Sequence, residues 1–194
     1  MKKKIGMFLI IIFSLTVFTY AADRETVLSN SHKYLSNANH RLPANESEII
    51  TKQVLDESNK YGIDYRLVLA LIRVESSFRT HAVSNSDCVG LMQIRPETGK
   101  HIAADMGIRW EGRKSLHKPD KNIELGVFHL STLLRSFSLH HALDAYNRGA
   151  ASKRLNAHGK YVRLVTKEYK KALVLLPELD QDEDACPVVE SSSP

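Results

Sequence analysis

Apolar residues recur at helical spacing along most of the chain, in short blocks separated by turn-forming residues. The pattern predicts a helix over about 45–61, with Ile50 and Val54 inward and Gly62 as the stop, and with Asn45 and Glu48 spaced as a capping box. Asp64 is placed to cap a second helix that runs to about Phe78. Residues 79–95 break the periodicity and read as a long loop with one or two short strands. Pro96 opens a helix that ends before Gly107, and 107–119 is a second loop holding the only tryptophan, Trp110. Asp120 is placed to cap an amphipathic helix through Phe137, with Leu130, Leu133, Leu134 and Phe137 inward. Leu139, Leu143 and Tyr146 mark a short helix ended by Gly149; Val162, Val165, Tyr169 and Leu173 share a face of a last helix ended by Pro177. The expectation is an α-dominant (α+β) globule of about six helices with at most a small β element and no internal repeat.

One stretch breaks the binary pattern. In LALIRVESSF, residues 69–78, an advance of about 100° per residue puts Arg66, Ala70, Arg73 and Ser77 on one stripe. Val68, Leu71, Ile72 and Phe78 lie opposite, and Glu75 falls near the centre of that apolar side. An ionised carboxylate there is costly unless paired, and burial raises its pKa. The carbonyl end of the helix dipole acts in the same direction. A protonated glutamate can donate to a leaving oxygen, the general-acid role in glycosidic cleavage. The bland alternative is a glutamate paired with an arginine such as Arg79, or one on the rim of the core.

The ends of the chain differ from its middle. Lys2, Lys3 and Lys4 precede an apolar run over 5–18 and then Thr19-Tyr20-Ala21, the pattern of a cleaved secretory signal peptide over 1–21; a retained membrane anchor is the alternative. Residues 22–44 are polar and read as a weakly helical lead-in or linker, 45–176 as the domain, and 177–194 as an acidic flexible tail. Of 27 basic and 22 acidic residues, three lysines fall in the leader and six acids in the tail, so 22–177 carries 24 basic and 16 acidic residues, net +8. A basic exported body suits an anionic partner such as cell wall, though a solvated mixed-charge surface gives the same count. Export permits a disulfide, and Cys88 and Cys186 are the only pair available; two free thiols are the alternative. Adjacent His140 and His141 point to different sides of a helix and there is no HExxH, so no metal is expected. Scattered basic residues and an export signal argue against nucleic acid.

Several spaced motifs then agree in order: ESSF at 75–78, AVS at 82–84, GLMQIRPET at 90–98, HKPDKNIELGVFHLSTLL at 117–134 and AYNRG at 145–149. Together they resemble the soluble-type lytic transglycosylase domain of the goose-lysozyme-like group, over about residues 50–175. The resemblance implies a lysozyme-like fold and peptidoglycan as substrate. Glu75 matches the catalytic acid/base. Ser84, Met92 and Gln93 match residues lining the glycan cleft, Tyr146 and Asn147 its other wall, and Tyr161 a tyrosine near the catalytic carboxyl. Arg95 stands where an apolar residue is common, and Arg148 and Ala150 replace a frequent Ala and Pro, changes to the rim of the cleft.

The implied reaction cleaves the MurNAc-β-1,4-GlcNAc bond and leaves 1,6-anhydro-MurNAc, with one glutamate acting as acid and then base and no cofactor. Asp87 keeps a rival open: a second carboxylate beside the cleft would make a two-carboxylate hydrolase, whereas NSDC is also good turn chemistry. A non-catalytic wall-binding module is the alternative from another class. Family analogy adds a periplasmic location and local opening of the wall for an envelope-spanning secretion, pilus or conjugation apparatus, with no membrane anchor after signal cleavage.

Overall fold

The computed structural model describes residues 24–150, 152 and 154–179. Seven α-helices carry these residues: α1 (24–38), α2 (Ala44–Tyr61), α3 (Tyr65–Ser76), α4 (Pro96–Asp105), α5 (Pro119–Ser136), α6 (Leu139–Arg148) and α7 (Lys160–Leu175), with a 3-10 turn at Arg113–His117. The expected strands shrink to two isolated bridges, Val83 with Val89 and Val89 with Ile94. Among the described residues no helix is long and apolar enough to cross a membrane.

Helix α3 is central. Its Val68, Leu71 and Ile72 are fully buried, as the wheel requires, and Leu69, which the wheel does not place on the apolar side, is buried as well. Ala70, assigned to the polar stripe, is also fully buried, because α7 packs along that side and Arg73 reaches across it to Glu168 at 2.7 Å. Asp64 caps α3 as expected by accepting from the Arg66 amide, and it also accepts from the Arg66 guanidinium and from the Tyr169 hydroxyl at 2.8 Å. One carboxylate therefore starts α3 and ties α7 to it. Helix α2 packs on α5 and closes the other side.

The ends of several helices differ from the sequence reading. Helix α2 starts at Ala44 after Pro43 with no side-chain cap, so Asn45 and Glu48 form no capping box; Glu46 instead receives the Thr80 hydroxyl at 3.0 Å. Pro119, not Asp120, sets the start of α5: proline suits the first turn, Lys118 is the flanking residue, and Asp120 contributes only its charge. Helix α3 stops at Ser76, two residues early, because Ser77 and Phe78 adopt φ of 51° and 58°. Leu173 is 41% exposed; Val162, Val165 and Ala172 carry the buried face of α7. The polar lead-in is not loose: α1 places Val27, Tyr34 and Leu35 in the core, and Tyr34 meets Phe78 edge-on at 6.1 Å. Pro177 follows α7, and its carbonyl accepts from the Tyr65 hydroxyl. The residues beyond 179, with Cys186, lie outside the described chain, as do the leader residues 1–21.

Candidate active site

Residues 79–95 form a compact loop rather than a free one. Val89 and Ile94 exchange backbone bonds at 3.0 and 3.1 Å, and the Gly90 amide reaches Ala82 at 2.8 Å. The loop is then fixed to α5 by one buried side chain. Asn122 accepts from the Met92 amide at 2.7 Å and donates to the carbonyls of Val89 and Leu116, both at 2.9 Å. The GLMQI and NIELG segments thus meet through hydrogen bonds. They also meet through close approach: a Cβ on Gly126 would lie 2.3 Å from Met92 Sδ, and one on Gly90 only 2.2 Å from the Leu116 carbonyl. Both glycines are needed for contact, and Gly90 also for its φ of 81°.

This packing leaves a cavity of about 530 Å³ between the loop, the start of α4 and the end of α6. Glu75 lies on it, in the last turn of α3, one residue short of the two left-handed residues that turn the chain away. The Glu75 carboxyl receives the Tyr161 hydroxyl, from a residue 86 positions along the chain at the start of α7. No arginine pairs with it; Arg79 donates to the Ser76 carbonyl instead. Burial pushes the Glu75 carboxyl up to about 7, against the opposing pull of the Tyr161 hydrogen bond. Tyr161 keeps its proton, since burial and the neighbouring carboxyl raise its pKa well above the usual value.

The other sequence-predicted residues divide. Ser84 lines the cavity, and its hydroxyl accepts from the Ser86 and Cys88 amides, fixing the turn it starts. Gln93 lines it in a left-handed conformation, φ 49°, with its amide on the carbonyls of Ala82 and Gly90. Tyr146 and Asn147 form the opposite wall, and the Tyr146 hydroxyl donates to the Met92 carbonyl at 2.9 Å. Tyr161 lines an adjoining cavity of about 370 Å³ that shares Asn147 and Arg148 with the first. Met92 does not belong to the cleft wall: its side chain is fully buried against Gly126, and only its carbonyl bears on the site, through Tyr146. Asp87 is also outside. It is exposed, left-handed at φ 59°, absent from the cavity wall and paired with Arg113 at 2.6 Å. Cys88 lines the cavity half-buried.

His129, Thr98, Ser86 and Ile94 are among the wall residues to which the sequence reading gives no role. The His129 ring lies 5.3 Å from that of Tyr146, tilted by 44°, and burial lowers its pKa below the ordinary imidazole value. Asp144 holds the far side. Nearly buried, it accepts from Arg148 at 2.6 Å and from the Asn156 amide at 2.6 Å, which anchors the segment leading to Tyr161. Among the described residues there is no group of three or more His, Cys, Asp or Glu side chains able to hold a metal.

Comparison with known proteins agrees with this geometry. A sequence model described as "Transglycosylase SLT domain" matches residues 53–168. Membrane-bound lytic murein transglycosylase C of Edwardsiella ictaluri is 39% identical over 107 residues, 49% of this chain and 30% of the relative. The same-named protein of Photorhabdus laumondii is 34% identical over 133 residues, 63% of this chain and 35% of the relative. The chain thus spans about a third of these curated relatives. The lytic transglycosylase Slt of Pseudomonas aeruginosa, solved by X-ray as an inactive mutant with a glutamate changed to glutamine, aligns with a TM-score of 0.56 and 25% identity, over 66% of this chain and 25% of that one.

Proposed function

Because the chain belongs to the transglycosylase SLT domain family, we propose that it is a peptidoglycan lytic transglycosylase that cleaves the MurNAc-β-1,4-GlcNAc bond. The observation that carries this reading is a single carboxyl on an open cavity, free of any cationic partner among the described residues and raised toward neutral pH by burial, with a tyrosine hydroxyl on one oxygen. Protonated Glu75 donates to the glycosidic oxygen as the C1–O bond breaks. Glu75 is the only carboxylate among the described residues lining the cavity. The positive charge at C1 is therefore met by the substrate's own 2-acetamido group. The Tyr161 hydroxyl stabilises the carboxylate just formed and keeps it aimed. That carboxylate then accepts the proton of the muramyl 6-hydroxyl, whose oxygen bonds to C1 and closes the 1,6-anhydro ring. The proton taken from the 6-hydroxyl restores Glu75, so one residue completes the cycle.

The substrate places the enzyme in the cell envelope, reached through the leader at 1–21 and released into the periplasm. Its work there is local opening of the wall for an envelope-spanning assembly, a reading supported by family analogy alone; normal assembly in a strain lacking the gene would remove that part. The catalytic assignment is tested by Glu75→Gln. This variant should release no soluble glycan from purified wall while keeping the wild-type circular dichroism spectrum. Cleavage within tenfold of wild type would reject Glu75 as the acid.

A further inference from the structure

The charged groups on the cavity wall are not equivalent. Glu75 is held by Tyr161. The Arg148 guanidinium is committed to Asp144, through Nε at 3.0 Å and Nη2 at 2.6 Å, and also donates to the Arg154 carbonyl. Arg95 alone among these makes no ion pair and no side-chain hydrogen bond with the described residues, although it lines the same cavity. Its backbone is fixed. Ile94, buried, is bonded in both directions to Val89, and the Arg95 carbonyl accepts from the Gly99 amide at 2.8 Å as α4 begins at Pro96. Glu97, the nearest acid in sequence, is exposed in the first turn of α4 and forms no ion pair with it. A guanidinium with five donors thus stands on the cleft wall with its backbone anchored and its charge unpaired among the described residues.

We propose that Arg95 is a specificity-determining residue that takes a carboxylate carried by the substrate, so that the cleft selects acidic glycan over neutral glycan. The proposal rests on the reading of this cavity as a peptidoglycan site and deepens it. GlcNAc is uncharged, whereas muramic acid adds a lactyl carboxylate at O3. That carboxylate is free in peptide-stripped glycan and amidated where a stem peptide is attached, and the stem then supplies carboxylates of its own. Both sources present the same planar anion, which a guanidinium grips through two parallel N–H donors.

The test measures binding in a Glu75→Gln background, where nothing is cut, with and without Arg95→Met, by calorimetry at low salt. The probes are a GlcNAc tetramer, a peptide-free GlcNAc–MurNAc tetramer and the same tetramer carrying stem peptides. Arg95→Met should weaken at least one acidic probe about tenfold and leave the GlcNAc tetramer within about twofold. Loss on the peptide-free probe alone assigns the lactyl group; loss on the peptide-bearing probe alone assigns the stem. Added salt should weaken the Arg95 protein and barely affect Arg95→Met. Equal loss on the neutral tetramer, no loss on either acidic probe, or no binding to any probe would overturn the proposal. Failure of the wild type to cut wall glycan would instead reject the catalytic reading, while these affinities would still report on Arg95.

Discussion

Replacing Glu75 by glutamine should stabilise the protein, and by an amount that depends on pH. The carboxyl is raised from its ordinary 4.5 to about 7, chiefly by burial. The folded state therefore holds a proton on Glu75 that the unfolded chain releases between pH 4.5 and 7. Wild-type stability falls with rising pH across that window. Below it both states are protonated, and above it the cost is complete. At about 1.4 kcal/mol per unit of displaced pKa, the penalty reaches roughly 3 kcal/mol at pH 8. Glutamine is nearly isosteric and does not ionise. The difference between Glu75→Gln and wild type should grow from near zero at pH 4 to roughly 3 kcal/mol in favour of the variant at pH 8. For a protein of this size that is a rise in Tm of about 6–12 °C. Urea unfolding of both proteins at several pH values between 4 and 8 measures it, and comparing the two cancels other groups such as Glu57, whose pKa is also raised. A flat difference across the window, or a variant less stable at pH 8, would refute the claim that burial holds the acid protonated.

Other consequences follow from individual contacts. Tyr161→Phe removes the bond that favours the ionised carboxyl, so the alkaline limb of the kcat profile should move up by about one pH unit, with kcat reduced; an unmoved limb would show that the hydroxyl does not act on Glu75. Asn122→Ala strands the Met92 amide and the Leu116 carbonyl in the core and leaves the Val89 carbonyl only its Ile94 bond, and should cost about 2–5 kcal/mol in urea unfolding. Gly126→Ala forces Cβ onto the Met92 sulfur and should cost about 1–3 kcal/mol, with activity lost through movement of the Gln93 loop. Asp87→Asn breaks only an exposed pair with Arg113 and should leave both activity and stability nearly unchanged; loss of cleavage would restore the two-carboxylate hydrolase.

The position of Glu75 was legible because helical periodicity is local, and α3 carries it without interruption. The glycine and asparagine motifs were visible as patterns, but their reason is tertiary: Gly90, Gly126 and Asn122 matter because the loop and α5 touch. Tyr161 lies 86 residues from Glu75, and resemblance, not any local spacing, connected them. Nothing in the pattern distinguished His129 from a neutral position on an amphipathic helix; only the packing of α5 against Tyr146 turns it toward the cavity. Met92 and Asp87 show how a tight turn separates neighbours. Each stands next to a true wall residue, Gln93 and Cys88, and a tight turn sends the neighbour elsewhere. Helix α1 is hard to see in the sequence because serine, asparagine and histidine dilute the spacing of Val27, Tyr34 and Leu35, which are nonetheless buried.

The central claim is that one carboxyl acts first as acid and then as base, with the muramyl 6-hydroxyl in place of water. Mass spectrometry of the fragments released from purified peptidoglycan tests it most directly. The account predicts anhydro-muramyl ends, lighter by one water than reducing ends, and their disappearance in Glu75→Gln. Reducing ends from the wild type would contradict it and make the enzyme a hydrolase.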